Sequence, residues 1–387
     1  MRSKRISNNA KHNKRKNTMP DHLYSLFLTK SKILEYKKAG KRIIGTLCNG
    51  VPEEIIHSLG AMPTRLLGLS KTTENADLKL PRWLCAYARR ILEDGLRGYL
   101  NYLDGVVGIT SDDTKMRLYS TYTFYVKNNF SYIIQMSYVR SENSLKFFSM
   151  ELERFAHKLS NHLLCNFNLD RLKESIKIYN KFRLLCKEVC GLRVIDTPKI
   201  CGADWMKIML GSVSTLKEDF NKIVEDELAS LKDSEGVKDY KLRVHISGAD
   251  FYDVELLQLI ESLGAIIVSD DLCTATGYFS GFVNEGEEPF EDLAERYLSC
   301  SACTFTAHPN VSLIKDRIGF IKKEVERSKA DAIIILRDKG CEIYGWQCSS
   351  IMEELQDFPV LLLDIDTPIS LEQYKTRIEA FIESYGD

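Results

Sequence analysis

Apolar residues in this chain gather in short unbroken runs, each followed by a turn and then a charged, helically periodic stretch. Arg42–Ile43–Ile44–Gly45–Thr46–Leu47 reads as a buried strand, because a run without polar alternation suits a parallel sheet covered on both faces. Cys48–Asn49–Gly50 follows, and Pro52 opens a helix with Glu53 and Glu54 in its first turn, where carboxylates meet the positive end of the helix dipole. That helix carries Ile55, Ile56 and Leu59 and stops at Gly60, before a short strand at Arg65–Leu66–Leu67. A further strand is predicted at Asp104–Ile109, with Thr110–Ser111–Asp112–Asp113 capping a helix that bears Met116 and Leu118.

The second half repeats this grammar. Leu242–Ile246 is a strand and Ser247–Gly248–Ala249–Asp250 a turn; the helix Asp253–Leu263 ends at Gly264, and Ala265–Val268 is the next strand. Ile55–Ile56–His57–Ser58–Leu59–Gly60–Ala61 parallels Leu259–Ile260–Glu261–Ser262–Leu263–Gly264–Ala265, and Asp104–Val107 parallels Asp331–Ile334. Repeated order and punctuation argue for duplicated βαβ units. The expected fold class is α/β, with two related Rossmann-like parallel-sheet domains and a helical insert or bridge. The expected organisation is a disordered basic tail at 1–19, a first α/β domain at 20–139, a helical segment at 140–235 and a second α/β domain at 236–387.

Composition narrows the function classes. The 387 residues are 44% apolar and 28% charged, which is globular usage. Lys and Arg total 53 against 54 acids, so no whole-chain electrostatic footprint for nucleic acid or an acidic membrane exists. Seven cations crowd residues 1–18, a solvated tail or translated leader upstream of Met19, with a nucleic-acid arm as the lesser alternative. No apolar run approaches a membrane span, and the first twenty residues hold no apolar core for export, so a soluble, cytoplasmic protein is expected.

Eleven cysteines carry the candidate chemistry. A reducing compartment leaves them as thiols, so each is a packing residue, a ligand or a nucleophile. Cys165, Cys186 and Cys190 sit in apolar or helical patterns and read as packing; Cys201 and Cys348 read as ordinary buried thiols. Cys48, Cys273 and Cys341 each follow a strand, the edge where open parallel sheets collect ligands. Gly50 and Gly340 beside two of them permit close backbone approach. Cys300–Ser301–Ala302–Cys303 is a single CxxC, too little for a zinc ribbon, with thioredoxin-type redox chemistry as a minor alternative. Dispersed thiols meeting across two domains suit an iron–sulfur cluster. Asp270, Asp271 and Glu342 read as solvated loop acids, with tuning of potential or proton movement near the candidate ligands as the alternative, and His57 reads as a helix-face residue rather than a base. No residue is singled out as catalytic.

Several segments together resemble the 2-hydroxyacyl-CoA dehydratase D-component and benzoyl-CoA reductase family. They are Leu47–Gly60, Leu84-Cys85-Ala86-Tyr87, Leu103–Val107 with Met116–Tyr119, Asp270–Gly277 and Lys339-Gly340-Cys341-Glu342. The resemblance implies a 4Fe–4S cluster on Cys48, Cys85 and Cys341, and a separate ATP-hydrolysing iron–sulfur activator that delivers a low-potential electron. It further implies reductive radical chemistry on an acyl-CoA, with loss of a 2-hydroxyl as water. No GxxxxGK[ST] or GxGxxG occurs, consistent with ATP being bound by another chain. The family's double-cubane branch, whose members are homodimers, needs further thiols, which Cys273, Cys300 and Cys303 would supply for an 8Fe group that reduces a small molecule. A homodimer or a heterodimer with a related subunit is expected. Two other classes compete: an electron-storing cluster protein without turnover, and a metal-free two-domain ligand binder.

Overall fold

Fully buried apolar strands fix the architecture. The computed structural model describes residues 29–137, 139–300, 303 and 311–386. After helix α1 (Thr29–Lys38), the first sheet comprises β1 (Ile43–Thr46), β2 (Met62–Arg65), β3 (Gly105–Ile109) and β4 (Ser131–Ile134). The second comprises β5 (Leu242–Gly248), β6 (Ala265–Asp270), β7 (Ala332–Asp338) and β8 (Val360–Ile365). Both sheets are parallel throughout and share one order, β2-β1-β3-β4 and β6-β5-β7-β8. The duplicated α/β fold expected from the repeat is thus present down to strand order.

Connecting helices follow the same repeat. In the first half these are α2 (Glu53–Ser58), α3 (Ala86–Leu96) and α4 (Asp113–Tyr125). Gly60 and Gly264, one after α2 and one after α9 (Val254–Ser262), take φ of +79° and +112°. That left-handed geometry is open to glycine at little cost, and each turn feeds the next strand directly. Strand β2 lies at Met62–Arg65 rather than Arg65–Leu67: the apolar pair Leu66–Leu67 draws the expectation toward the strand's end, where Leu66 N–H still bonds Thr46 O. Partly exposed β4 carries only a short apolar run, so the pattern does not announce it; β8 does carry one, Val360–Leu363, although most of these residues are only half-buried.

Four helices run between the sheets: α5 (Glu142–Leu163), α6 (Leu169–Val194), α7 (Gly202–Ser212) and α8 (Lys217–Asp233). At 26 residues α6 spans roughly 39 Å. It packs against α2 in the first half and β6 in the second, so it braces both sheets. The remaining helices are α10 (Thr276–Phe279), α11 (Pro289–Ser299), α12 (Val311–Arg327), α13 (Glu342–Glu354) and α14 (Leu371–Tyr385).

Repeat-related positions tie the helices to this brace. His57 on α2 meets Ser175 Oγ and Glu218 Oε1, each at 2.9 Å, so it is a half-buried helix-face residue. Its counterpart Glu261 on α9 accepts from Gly202 N at 2.7 Å and Ala203 N at 3.3 Å, capping the start of α7. Cys201 precedes that helix as its N-cap residue. Cys186 and Cys190 are buried in the core, and Cys165 is half-buried.

Helix α7 approaches β6 so closely that a Cβ on Gly202 would lie 2.4 Å from Ile267 Cβ. Gly202→Ala should therefore destabilise the fold by about 1–3 kcal/mol. Urea unfolding checks this, and an unchanged midpoint would mean α7 is free to move away from the sheet.

Candidate functional site

Ligands of open parallel sheets bind where the strand order reverses. In the first sheet that point lies between β1 and β3, in the second between β5 and β7. Cys48 follows β1, and Asp112 and Lys115 follow β3; Asp250 follows β5, and Cys341 follows β7. The two switch points face each other. A cavity of about 20 Å³ lies between them, bordered by Cys85, Asp112, Lys115, Asp250 and Cys341 among others.

Buried charge joins the two halves here. Asp250 takes Arg65 Nη2 at 2.5 Å and Lys115 Nζ at 2.8 Å, while Asp112 holds Lys115 at 3.1 Å from the other side. All four side chains are nearly inaccessible. Burial alone would favour a neutral Lys115, but Asp112 and Asp250 outweigh it and hold the ammonium firmly charged. Arg65 also donates to Cys273 O at 2.5 Å, so one guanidinium spans two loops of the second half.

Cys85 does not follow a strand; it reaches the crevice through the opposite lobe. Asp338, ending β7, accepts from Ala86 N at 2.9 Å and Gly340 N at 2.9 Å. A Cβ on Gly340 would lie 2.5 Å from Cys85 N, so only glycine lets the Cys341 loop sit on the Cys85 loop. Burial pushes the Asp338 carboxyl up to about 6.

The candidate cysteines therefore divide. Cys85 and Cys341 wall the cavity together. Cys48 is buried against Gly50, whose N–H points to its Sγ at 3.4 Å, and it shares the field of Lys115 with Cys85 and Cys341. Cys273 and Cys303 hydrogen-bond to each other. Cys300 lies nearby, its Sγ 3.8 Å from Ser280 O, in the same apolar cluster as Cys48, Cys273 and Cys303. Burial pushes the Cys48, Cys85 and Cys341 thiols up, with Lys115 pulling each of them back down.

Among the described residues, no three Cys, His, Asp or Glu side chains gather closely enough to clasp a metal ion. The cavity itself has room for about one water. The donor chemistry nevertheless suits a thiolate-bound anionic group: soft ligands come from both lobes, and one buried cation lies beside them.

The expectation for Asp270 and Asp271 needs correction. Neither is a solvated loop acid: Asp270 pairs with Arg193 at 2.7 Å and Asp271 with Arg317 at 2.6 Å, all four buried. They end β6 facing α6 and α12, whose arginines the local sequence does not announce. Glu342 is exposed, as expected of a loop acid, at the start of α13. Glu53 and Glu54 do open α2 but are buried as well. Tyr278 donates to Glu53 at 2.7 Å, and Glu54 bonds Arg183 and, at 2.8 Å, Tyr297.

Sequence reasoning misses Lys115, Asp250, Arg65 and Asp338. Their signal is position: each is a charged residue at, or just beyond, the carboxyl end of a buried strand.

Two duplicated parallel-sheet domains that close a cysteine crevice at facing switch points define the class of protein. The particular family follows from comparison: residues 48–385 match the profile of 2-hydroxyglutaryl-CoA dehydratase, D-component, and the chain belongs to that family. A benzoyl-CoA reductase subunit of Thauera aromatica is 24% identical over 80% of this chain and 81% of its own length. Lactoyl-CoA dehydratase subunit beta of Anaerotignum propionicum is 24% identical, covering 90% and 93%. (R)-2-hydroxyglutaryl-CoA dehydratase subunit beta of Acidaminococcus fermentans is 23% identical, covering 92% and 95%. The chain is an enzyme of the dehydratase or reductase type. No described helix is long and apolar enough to cross a membrane.

Lys115→Met should leave Asp112 and Asp250 facing each other without their shared cation. A loss of about 3–5 kcal/mol is expected. Chemical denaturation of the metal-free protein measures it, and a loss below about 1 kcal/mol would show that the lobes do not depend on this clasp.

Proposed function

We propose that the chain is an iron–sulfur subunit of a 2-hydroxyacyl-CoA dehydratase-type enzyme, with Cys48, Cys85 and Cys341 as the ligands. The observation that carries this reading is geometric: Cys85 and Cys341, from opposite lobes, line one cavity with the buried Lys115 where the switch points face each other, and Cys48 follows the strand beside it. When bound, the cluster supplies a low-potential electron for the acyl thioester. The chain's own residues provide the surroundings. Lys115 offsets thiolate charge, Asp338 and Gly340 hold Cys341 against the Cys85 loop, and Arg65 with Asp250 keeps the lobes shut against water.

The proposed electron source is a separate ATP-hydrolysing activator. A related subunit completes the enzyme, since the relatives named above are themselves subunits. The setting is cytoplasmic. A second reading, the double-cubane homodimer that reduces a small molecule, is favoured by the contact between Cys273 and Cys303, which places two further thiols beside the Cys48 cluster of side chains.

Iron and acid-labile sulfide on anaerobically purified protein test both. About four irons per chain support the single cluster and about eight the double cubane. Replacing Cys48, Cys85 or Cys341 by Ser should strip iron in either case, whereas Cys186→Ser, in the core, should keep it. Wild-type protein that takes up no iron on reconstitution would overturn the reading. Conversion of added lactoyl-CoA to acryloyl-CoA and water by the reduced protein, a redox-neutral reaction that returns the electron, separates a turning-over enzyme from an electron store.

A further inference from the structure

One buried carboxylate ties together the loops of the second lobe. Asp271, just past β6, is fully buried. Its Oδ1 accepts from Gly248 N at 3.1 Å, and its Oδ2 accepts from Ser247 Oγ at 3.1 Å and from Arg317 Nη2 of α12 at 2.6 Å. Ser247 Oγ in turn lies 2.7 Å from the phenol oxygen of Tyr344 on α13. A carboxylate only accepts, and a serine hydroxyl has one proton to give. The proton order is therefore fixed: Tyr344 donates to Ser247, and Ser247 donates to Asp271. We propose that Tyr344 is a positioning residue for Cys341, tethering the first turn of α13 to Asp271 through Ser247.

Cys341 is the N-cap residue of α13, and Gly345 N donates to its carbonyl at 2.8 Å, so the thiol moves with the turn to which Tyr344 belongs. On the preceding side Cys341 is held by its own N–H on Asp338 O at 3.0 Å and by the contact of Gly340 with the Cys85 loop. Tyr344 fixes the following side. Packing alone would need the ring and not the hydroxyl, because phenylalanine fills the same space and brings no polar group into the core. Ser247, Asp271, Arg317 and Tyr344 are all inaccessible, so water cannot replace a bond lost from this chain. Burial pushes the Tyr344 phenol well up, which keeps it a donor. His245 Nε2 stands 3.9 Å from Asp271 Oδ1, but burial pushes its imidazole down, so Arg317 is the cation that answers the carboxylate. Asp271 also lies two residues before Cys273, whose N–H donates to Ala249 O at 3.0 Å. The tether thus sets the Cys341 turn in register with the Cys273 loop.

The consequence for the thiol stands apart from the iron reading, and the consequence for iron rests on it. Tyr344→Phe keeps the ring and removes only the hydroxyl; Ser247→Ala cuts the same chain one link further on. In the full-length metal-free protein, alkylation by iodoacetamide is followed at each cysteine by mass spectrometry. Cys341 should react about fivefold faster in each variant, the loss of one buried hydrogen bond, and no faster in the double variant than in Ser247→Ala alone. Cys348, further along the same helix, should keep its wild-type rate. In protein reconstituted with iron and sulfide, both variants should release iron to a chelator about tenfold faster or more, with a changed electron paramagnetic resonance spectrum after reduction. An unchanged Cys341 rate in both variants would overturn the proposal. So would an equal rise at Cys348, since the phenol would then serve the helix as a whole. Faster Cys341 alkylation with iron uptake or release unaffected would keep the positioning role and overturn Cys341 as a ligand.

Discussion

Asp250, just past the end of the first strand of the second sheet, is buried between Arg65 and Lys115 of the first lobe, and the rest of the site depends on that contact. Removing charges from water costs several kcal/mol per ion, and the cost is offset only when partners meet with good geometry. Arg65, Lys115 and Asp112 provide that geometry, and they do so only if the two lobes close in one register. The charge arrangement thus specifies how the sheets face each other, while the apolar core supplies most of the binding between them. Closure also brings Cys341 onto the Cys85 loop through Gly340 and sets Lys115 in the lining of the same cavity as Cys85 and Cys341.

Duplication explains why the crevice has ligands on both walls. Each sheet runs in the same order, so each has a switch point at the carboxyl ends of its first and third strands. Two copies facing one another make a site from loops that are equivalent in the repeat and different in chemistry. The first lobe contributes Cys48 and the Asp112–Lys115 pair, the second Asp250 and Cys341. The helices of the bridge hold this arrangement from behind, with α6 touching both lobes.

The fold is largely legible in the sequence because buried parallel strands announce themselves as apolar runs and the glycine stops repeat. Cys48 and Cys341 are legible for the same reason, each following such a run. Cys85 is found by resemblance alone, since its approach to Cys341 is made by Asp338 and Gly340, and Asp338 lies 252 residues beyond the Ala86 amide it binds. Lys115 and Asp250 are marked only by following a buried strand, and their local pattern points elsewhere: an Asp–Lys pair three residues apart at a helix start reads as a surface pair, and an aspartate after glycine and alanine reads as a turn. Asp270 and Asp271 defeat a local reading because their arginines are 77 and 46 residues distant. Part of the CxxC lies outside the described residues, which include Cys300 and Cys303 but not the two residues between them.

The most direct measurement of the central claim is anomalous scattering at the iron edge from crystals grown without oxygen. The account predicts iron density in the crevice between the two switch points, bonded to Cys48, Cys85 and Cys341, with Lys115 still on Asp250. Iron bound elsewhere on the chain, or a crevice closed over the three thiols in iron-loaded protein, would contradict it.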